Sequence, residues 1–152
     1  MEPARARGDR PPTDVGRVLQ LQLVDLLALA AEATQFRWTV RGPSTGRVAT
    51  RLRSLAEESS SLADDLACHM VRAAVLPNGT APAQLVASVC GRLPGWWPAP
   101  EAASALAGDV RAVVVVSQER ADRLVAVAPA SAHVLSRHRS VLLPHVVGLS
   151  SP

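Results

Sequence analysis

The segment FRWTVRGP, residues 36–43, joins two long helical patterns, and the interpretation of the whole chain starts from it. A long run of regularly spaced apolar residues leads into the segment, and a second run begins directly after it. Gly42-Pro43 is a typical stop for the first helix, because glycine often follows a helix end and proline cannot continue the helix. A helix end that carries Trp38 and a basic residue just before its stop is unusual for a simple connection.

The first helical pattern begins near Val15, and Thr13 or Asp14 is a plausible N-cap. Its apolar residues recur at alternate spacings of four and three, as on one face of a helix: Leu19, Leu23, Leu26, Ala30 and Ala33. The next position in this series is Arg37. A guanidinium group on the buried face must be paired or must reach an interface, because burying a charge alone is very costly.

Three more helices are predicted, over residues 47–75, 101–127 and 130–149, with Pro144 expected to kink or shorten the last one. Arg120 is expected on an outer face of the third helix. The long connection at 76–100 is rich in Pro and Gly and has room for a short helix at 84–89. Trp96-Trp97 is expected to cover a core edge or to meet a partner. The sequence therefore predicts an all-α, ferritin-like four-helix bundle with a short helix between helices two and three.

Composition sets the size and class of the protein. The 152 residues are enough for one domain with a real core, and the scarcity of aromatic residues (3%) favours helices over β-sandwiches. We divide the chain into a flexible tail at 1–12 and a domain at 13–149. All 16 basic residues are Arg, but the net charge is only +3, so a weak, salt-sensitive attraction to polyanions is allowed and not required.

The cysteines and the apolar runs suggest a location. Cys68 and Cys90 are too few for a disulfide framework in a domain of this size, and residues 1–10 lack the apolar stretch of a secretion signal. Asp25 and Glu32 interrupt the longest apolar run, so no segment reaches the roughly 18 residues that a membrane span needs. We expect a cytoplasmic protein without a membrane partner.

Common catalytic motifs are absent: the sequence has no Gly-rich phosphate loop, no CxxC, no HExxH and no Glu-x-x-His pair. We expect surface or capping roles for His133, His138 and His145. Asp64, Cys68 and His69 have the residue types of a metal cluster, but His69 points about 100° away from Cys68 on a helix. A buried Cys68 and an Asp64 paired with an arginine form the favoured alternative.

The segment FRWTVRGP, the Leu-rich helix leading to Asp64 and Leu66, and Pro77 with Gly79-Thr80 together resemble the Dps family, the ferritin-like DNA-protection proteins of starved bacteria. The resemblance covers about residues 19–80. It implies a four-helix subunit, assembly into a dodecameric shell, and iron oxidation at sites shared between two subunits. Many members of the family also bind DNA through mobile basic tails, and here Arg5, Arg7 and Arg10 are the corresponding residues.

Four of the five positions that bind iron in the family carry other residues here. Arg37 stands where the family has a His just before the Trp, and Ala49 stands where it has a second His after the Gly-Pro turn. Arg53 and Cys68 replace carboxylates, so that only Asp64 is retained. The resemblance therefore predicts a shell protein whose iron-oxidising (ferroxidase) activity is lost, and we expect no cofactor other than iron, if any metal is bound.

These substitutions lead to one structural prediction and three functional alternatives. Arg37 or Arg53 is predicted to pair with Asp64 of a neighbouring subunit. The leading function is DNA protection or iron handling under stress, in a homo-oligomeric shell or in a mixed shell with an active paralogue. The second alternative is a non-enzymatic helical-bundle interaction or structural subunit. The third is an oxidase that uses other ligands.

Overall fold

The computed structural model describes residues 13–80 and 95–151, and four long helices account for most of them. In chain order these are α1 (Asp14–Thr39), α2 (Thr45–Arg72), α3 (Ala99–Leu124) and α4 (Pro129–Ser150). Two short strands, β1 (Val40–Arg41) and β2 (Trp97–Pro98), lie at the junctions. The predicted tail at 1–12 and the predicted short helix at 84–89 lie outside the described residues.

One apolar core runs through the bundle, and the predicted stripes supply it. Every residue of the α1 series from Leu19 to Ala33 is buried, and the buried residues of α2 and α3 recur at the same spacings of three and four. Aliphatic side chains spaced by three and four residues lie on one side of each helix, and burying them is the main stabilising contribution. The core is therefore built mainly from Leu, Val and Ala.

The helices pack as two pairs. The most extensive contacts are between α1 and α2 and between α3 and α4, and α2 then packs against α4 and α1 against α3. Contacts between α2 and α3 are few. Helices two and three are thus not close neighbours, which agrees with the long connection that separates them in the sequence.

The junction after α1 meets the segment before α3 through a pair of two-residue parallel strands, in which Val40 lies opposite Trp97. The Trp97 ring packs on Phe36 with the ring centroids 5.1 Å apart, so Trp97 covers the edge of the core. Trp96 is exposed, and the guanidinium carbon of Arg41 lies 3.5 Å from the centroid of the Trp96 ring. The prediction of a core-covering Trp is confirmed for Trp97, whereas Trp96 forms a cation–π contact.

Helix boundaries agree with the sequence to within a few residues. Thr13 is the N-cap of α1, and its hydroxyl accepts a hydrogen bond from the backbone N–H of Gly16 at 3.2 Å. α1 ends at Thr39, before β1, and Gly42 turns the chain with a φ of 94°. Pro144 does not shorten the last helix, since α4 continues through it to Ser150; the alternative, a kink at Pro144, stays a prediction. None of the helices within 13–80 and 95–151 is long and apolar enough to cross a membrane.

Candidate functional site: the Arg37–Asp64 cleft

An open cleft of about 700 Å³ lies between the end of α1 and the middle of α2. We call it the Arg37–Asp64 cleft and define it by its lining: Thr34, Arg37, Arg53, Ala56, Glu57, Ser60, Ser61 and Asp64. The α1 residues are three apart and the α2 residues recur at spacings of three and four, so each set lies on one face of its helix. Three of the predicted site residues, Arg37, Arg53 and Asp64, therefore share one surface.

The cleft contains two guanidinium groups and two carboxylates. Arg37 is half-buried, while Arg53, Glu57 and Asp64 are exposed. Across 13–80 and 95–151, none of these four side chains forms a hydrogen bond or ion pair. Asp64 therefore pairs with no arginine among the described residues of its own chain. The cleft therefore carries charges of both signs that form no ion pair among the described residues.

The other two predicted positions lie outside the cleft lining. Ala49 is half-buried and packs at the edge of the core. Cys68 is exposed, so the prediction of a buried cysteine is wrong. The reason is its position on α2: Leu66 is fully buried, and Cys68 lies two residues later, about 200° around the helix.

His69 also points away from Cys68, as predicted. Its Nε2 lies 2.8 Å from the hydroxyl of Ser131 on α4. In the described part of the chain, no group of three or more His, Cys, Asp or Glu residues is placed to hold a metal ion. Divalent iron needs several carboxylate or imidazole donors, and a guanidinium donates hydrogen bonds and does not ligate. The residues of the Arg37–Asp64 cleft therefore do not fit an iron site.

Comparison with known proteins finds similar solved structures but no matching protein family or curated protein. Neither a protein-family model nor a curated protein matches the chain. Among solved structures it is similar to Dps from Deinococcus radiodurans, with a TM-score of 0.85, 21% identity and coverage of 89% of this chain and 82% of that one. For Dps from Staphylococcus aureus the TM-score is 0.85, with 18% identity and coverage of 91% and 96%. For a Dps protein from Bacillus brevis the values are 0.83, 25%, 89% and 91%.

This chain has the Dps fold. The agreement extends over almost the whole length of these chains, so the predicted four-helix architecture and the resemblance to Dps are both confirmed. At this level of identity the likeness carries the fold alone. Function must be argued from the side chains of the Dps-like chain itself.

A polar network inside the Dps-like bundle was missed by the sequence reasoning. The Arg120 Nη1 lies 2.7 Å from a carboxylate oxygen of Asp25 and donates to Gln22 Oε1 at 2.9 Å. Gln22 in turn donates to the hydroxyl of Ser117 at 2.8 Å. All four side chains are buried, and they join α1 to α3.

The prediction of Arg120 on an outer face is therefore wrong, and the spacing explains why. Arg120 follows the buried Ser117 by three residues, which places it about 60° from the core stripe of α3. Gln22 and Asp25 have the same spacing on α1. Two polar residues three apart on each of two core-facing stripes are the sequence signal that could have revealed the network, because a buried charge requires a buried partner.

The histidines of α4 have three different environments. His133 is exposed, and His145 is half-buried with its Nε2 beside a carboxylate oxygen of Glu58 on α2. His138 is fully buried, and neither of its ring nitrogens forms a hydrogen bond with a described residue. The prediction of a surface or capping role for His138 is wrong, because it continues the α4 stripe that includes the buried Leu135 and Leu142.

Burial also shifts the pKa values of two histidines. Desolvation, with a smaller contribution from Arg137, lowers the pKa of His138 to about 4, although Asp65 acts in the opposite direction. Desolvation and then Arg72 lower the pKa of His69. His138 is thus a neutral imidazole in the folded chain at neutral pH.

Proposed function

We propose that this chain is a shell-forming, Dps-like subunit whose ferroxidase centre is inactive. The observation that carries the proposal is the donor set of the Arg37–Asp64 cleft. Its four charged side chains are two arginines and two carboxylates, Glu57 and Asp64. Two fixed positive charges repel Fe²⁺, and the cleft lining offers it two carboxylates and no imidazole or thiol.

The same charges suit a contact between two subunits. Arg37, at the end of the buried α1 stripe, is half-buried, and it forms no ion pair with a described residue. A cleft that carries both signs is self-complementary when two copies meet about a two-fold axis. We propose that Arg37 or Arg53 pairs with Asp64 of a neighbouring subunit. This charge-assisted contact would take the place of a shared iron site.

The biological role that follows is DNA protection or iron handling under stress, with this chain as a structural or regulatory member of a homo-oligomeric or mixed shell in the cytoplasm. The proposal extends to the tail residues Arg5, Arg7 and Arg10, which would supply the contact with DNA phosphates. The second candidate, a helical-bundle interaction subunit that neither stores iron nor binds DNA, is favoured by the same donor set. Shell size and DNA affinity separate the two.

Iron oxidation is the decisive test of the inactive centre. Purified protein and Fe²⁺ with oxygen or peroxide should give the rate of a protein-free blank. The sharper experiment restores the missing ligands together, as Arg37→His, Ala49→His, Arg53→Asp and Cys68→Glu. We expect this variant to oxidise iron faster than the natural chain. Rapid stoichiometric oxidation by the unaltered protein would refute the proposal.

Charge reversal tests the contact between subunits. Asp64→Arg should lower the molar mass measured by light scattering, because it places like charges together, and adding Arg37→Asp and Arg53→Asp should restore the mass. Arg72→Asp is the matched control: Arg72 is exposed at the end of the same helix and lies outside the cleft. If Asp64→Arg and Arg72→Asp leave the assembly equally intact, the contact is not as proposed.

A DNA gel shift tests the tail. The full chain and a version without residues 1–12 are compared at two salt concentrations. We expect the full chain to bind more tightly, and its advantage to shrink at high salt, because phosphate contacts release counterions. Equal affinity of both versions at low salt would exclude the tail as the binding element.

A further inference from the structure

A second pocket lies at the end of the bundle where α2 and α3 begin and α4 ends. It has a volume of about 390 Å³, and we call it the Arg47–Arg51 pocket. Its lining consists of two arginines, four serines and an apolar group: Arg47 and Arg51; Ser44, Ser104, Ser150 and Ser151; Val48, Pro100, Ala103 and Leu149. None of these lining residues is acidic. This distinguishes the pocket from the Arg37–Asp64 cleft, where the charges balance.

The two arginines are available to a ligand. They are four residues apart and therefore lie on the same face of α2. Arg51 donates one hydrogen bond, from Nη1 to the carbonyl of Ser151 at 3.0 Å, which anchors its guanidinium and leaves further N–H groups. Arg47 forms no hydrogen bond or ion pair with a described residue. The carboxylate of Glu58, two turns further along α2, is already paired with His145.

The start of α2 adds to the positive potential of the pocket. Its N-cap residue, Ser44, makes no side-chain capping hydrogen bond, and its first turn holds no acidic residue, whereas the first turn of α3 carries Glu101. The dipole of α2 therefore favours a negative charge at this end of the helix. The opposing carbonyl end of α4 is partly neutralised, because Arg51 binds Ser151.

We propose that the Arg47–Arg51 pocket binds a phosphate oxyanion, either free or as the terminal phosphoryl group of a small molecule. Guanidinium forks and serine hydroxyls are the side chains that recognise phosphate best. The volume lies within the range of small-molecule sites, and Val48 and Leu149 give an apolar wall for the body of a ligand. This site is independent of the function proposed for the Arg37–Asp64 cleft.

Calorimetric titration and thermal unfolding of the full chain test the proposal. The probe is inorganic phosphate, with chloride used to match the ionic strength. We expect saturable binding and a phosphate-dependent rise in Tm for the natural chain. Arg47→Gln should weaken the affinity about tenfold or more, because it removes a charged donor. Arg72→Gln, an exposed arginine outside the pocket, is the matched control and should bind like the natural chain.

Titrations with two different ligands distinguish the source of the phosphate. Binding of AMP without binding of free phosphate would assign the pocket to a phosphorylated small molecule, whereas tighter binding of free phosphate would assign it to the ion. Ser104→Ala provides a second variant with little effect on packing, because Ser104 is exposed. The proposal is overturned if neither probe saturates, or if Arg47→Gln and Arg72→Gln bind equally. It is also overturned if light scattering shows that Arg47→Gln dissociates the assembly while phosphate has no effect.

Discussion

Replacing His138 should remove a large part of the acid sensitivity of this protein. Burial lowers the pKa of His138 in the folded chain to about 4, whereas an unfolded chain has the ordinary value of 6.5. The unfolded chain therefore takes up a proton below pH 6.5, and the folded chain resists protonation until about pH 4. The stability that neutral His138 contributes is fully present above pH 6.5 and is lost as the pH falls from 6.5 to about 4.

The two pKa values set the size of the effect. At about 1.4 kcal/mol per pKa unit, the complete loss is roughly 3 kcal/mol, and about 2 kcal/mol of it is reached by pH 5. His138→Leu has a similar volume and does not titrate. It also removes two buried ring nitrogens that lack a hydrogen bond to a described residue, so we expect it to be at least as stable as the natural chain at pH 7.

Urea unfolding followed by circular dichroism at pH 7 and pH 5 gives the required free energies, measured at one protein concentration because assembly shifts the apparent stability. Titrating groups that do not interact with His138 act equally in both proteins and cancel in the comparison. The loss between the two pH values should be about 2 kcal/mol smaller in His138→Leu than in the natural chain. His133→Leu, at an exposed position of the same helix, should change nothing.

Equal losses for the natural chain and for His138→Leu would refute the reasoning. Such a result would mean that His138 is protonated in the folded chain near pH 6, and thus that its imidazole is not desolvated in solution. If His133→Leu, and not His138→Leu, reduces the loss of stability between pH 7 and pH 5, the acid sensitivity belongs to the exposed face of α4.

Three further substitutions test other parts of the fold. Ala74 has a φ of 57° just after α2, in the left-handed region that glycine adopts freely, so Ala74→Gly should raise the free energy of unfolding by about 0.5–1 kcal/mol, measured by urea denaturation. Arg120→Met removes a buried charged partner of Asp25 and a hydrogen bond to Gln22, and should cost about 3–5 kcal/mol in the same assay. Trp97→Leu removes the ring contact with Phe36 and should cost about 1 kcal/mol, visible as a lower Tm.

Each of these predictions has an outcome that contradicts it. Ala73→Gly, at the adjacent residue with a φ of −84°, is the control for Ala74→Gly and should not stabilise. If both glycine variants are destabilised equally, the backbone of Ala74 is not strained. A loss below about 1 kcal/mol for Arg120→Met would indicate that water reaches the network. An unchanged Tm for Trp97→Leu would show that the junction of the two strands contributes little.

The stripe of α1 shows how much of the fold was accessible from the sequence. Its apolar spacing predicted the helix, its buried face and its N-cap, because these depend on residues within a few turns of one another. The resemblance of the segment FRWTVRGP to the Dps family added the prediction of a ferritin-like arrangement of the four helices. The environments of Arg120, His138 and Cys68 were predicted wrongly, although their spacing from buried residues of the same helices carried the signal.

The sequence alone determined that this protein is a four-helix bundle of the Dps fold. Helical periodicity and turns depend on residues that are close together in the chain, so the sequence shows them directly. Only the tertiary structure decided which charges meet. It joined Asp25 to Arg120 across 95 residues of sequence, left Arg37 and Asp64 apart in one cleft, and brought Arg47 and Arg51 to the end of α4. Such contacts depend on how helices distant in sequence pack together, and no local pattern specifies them.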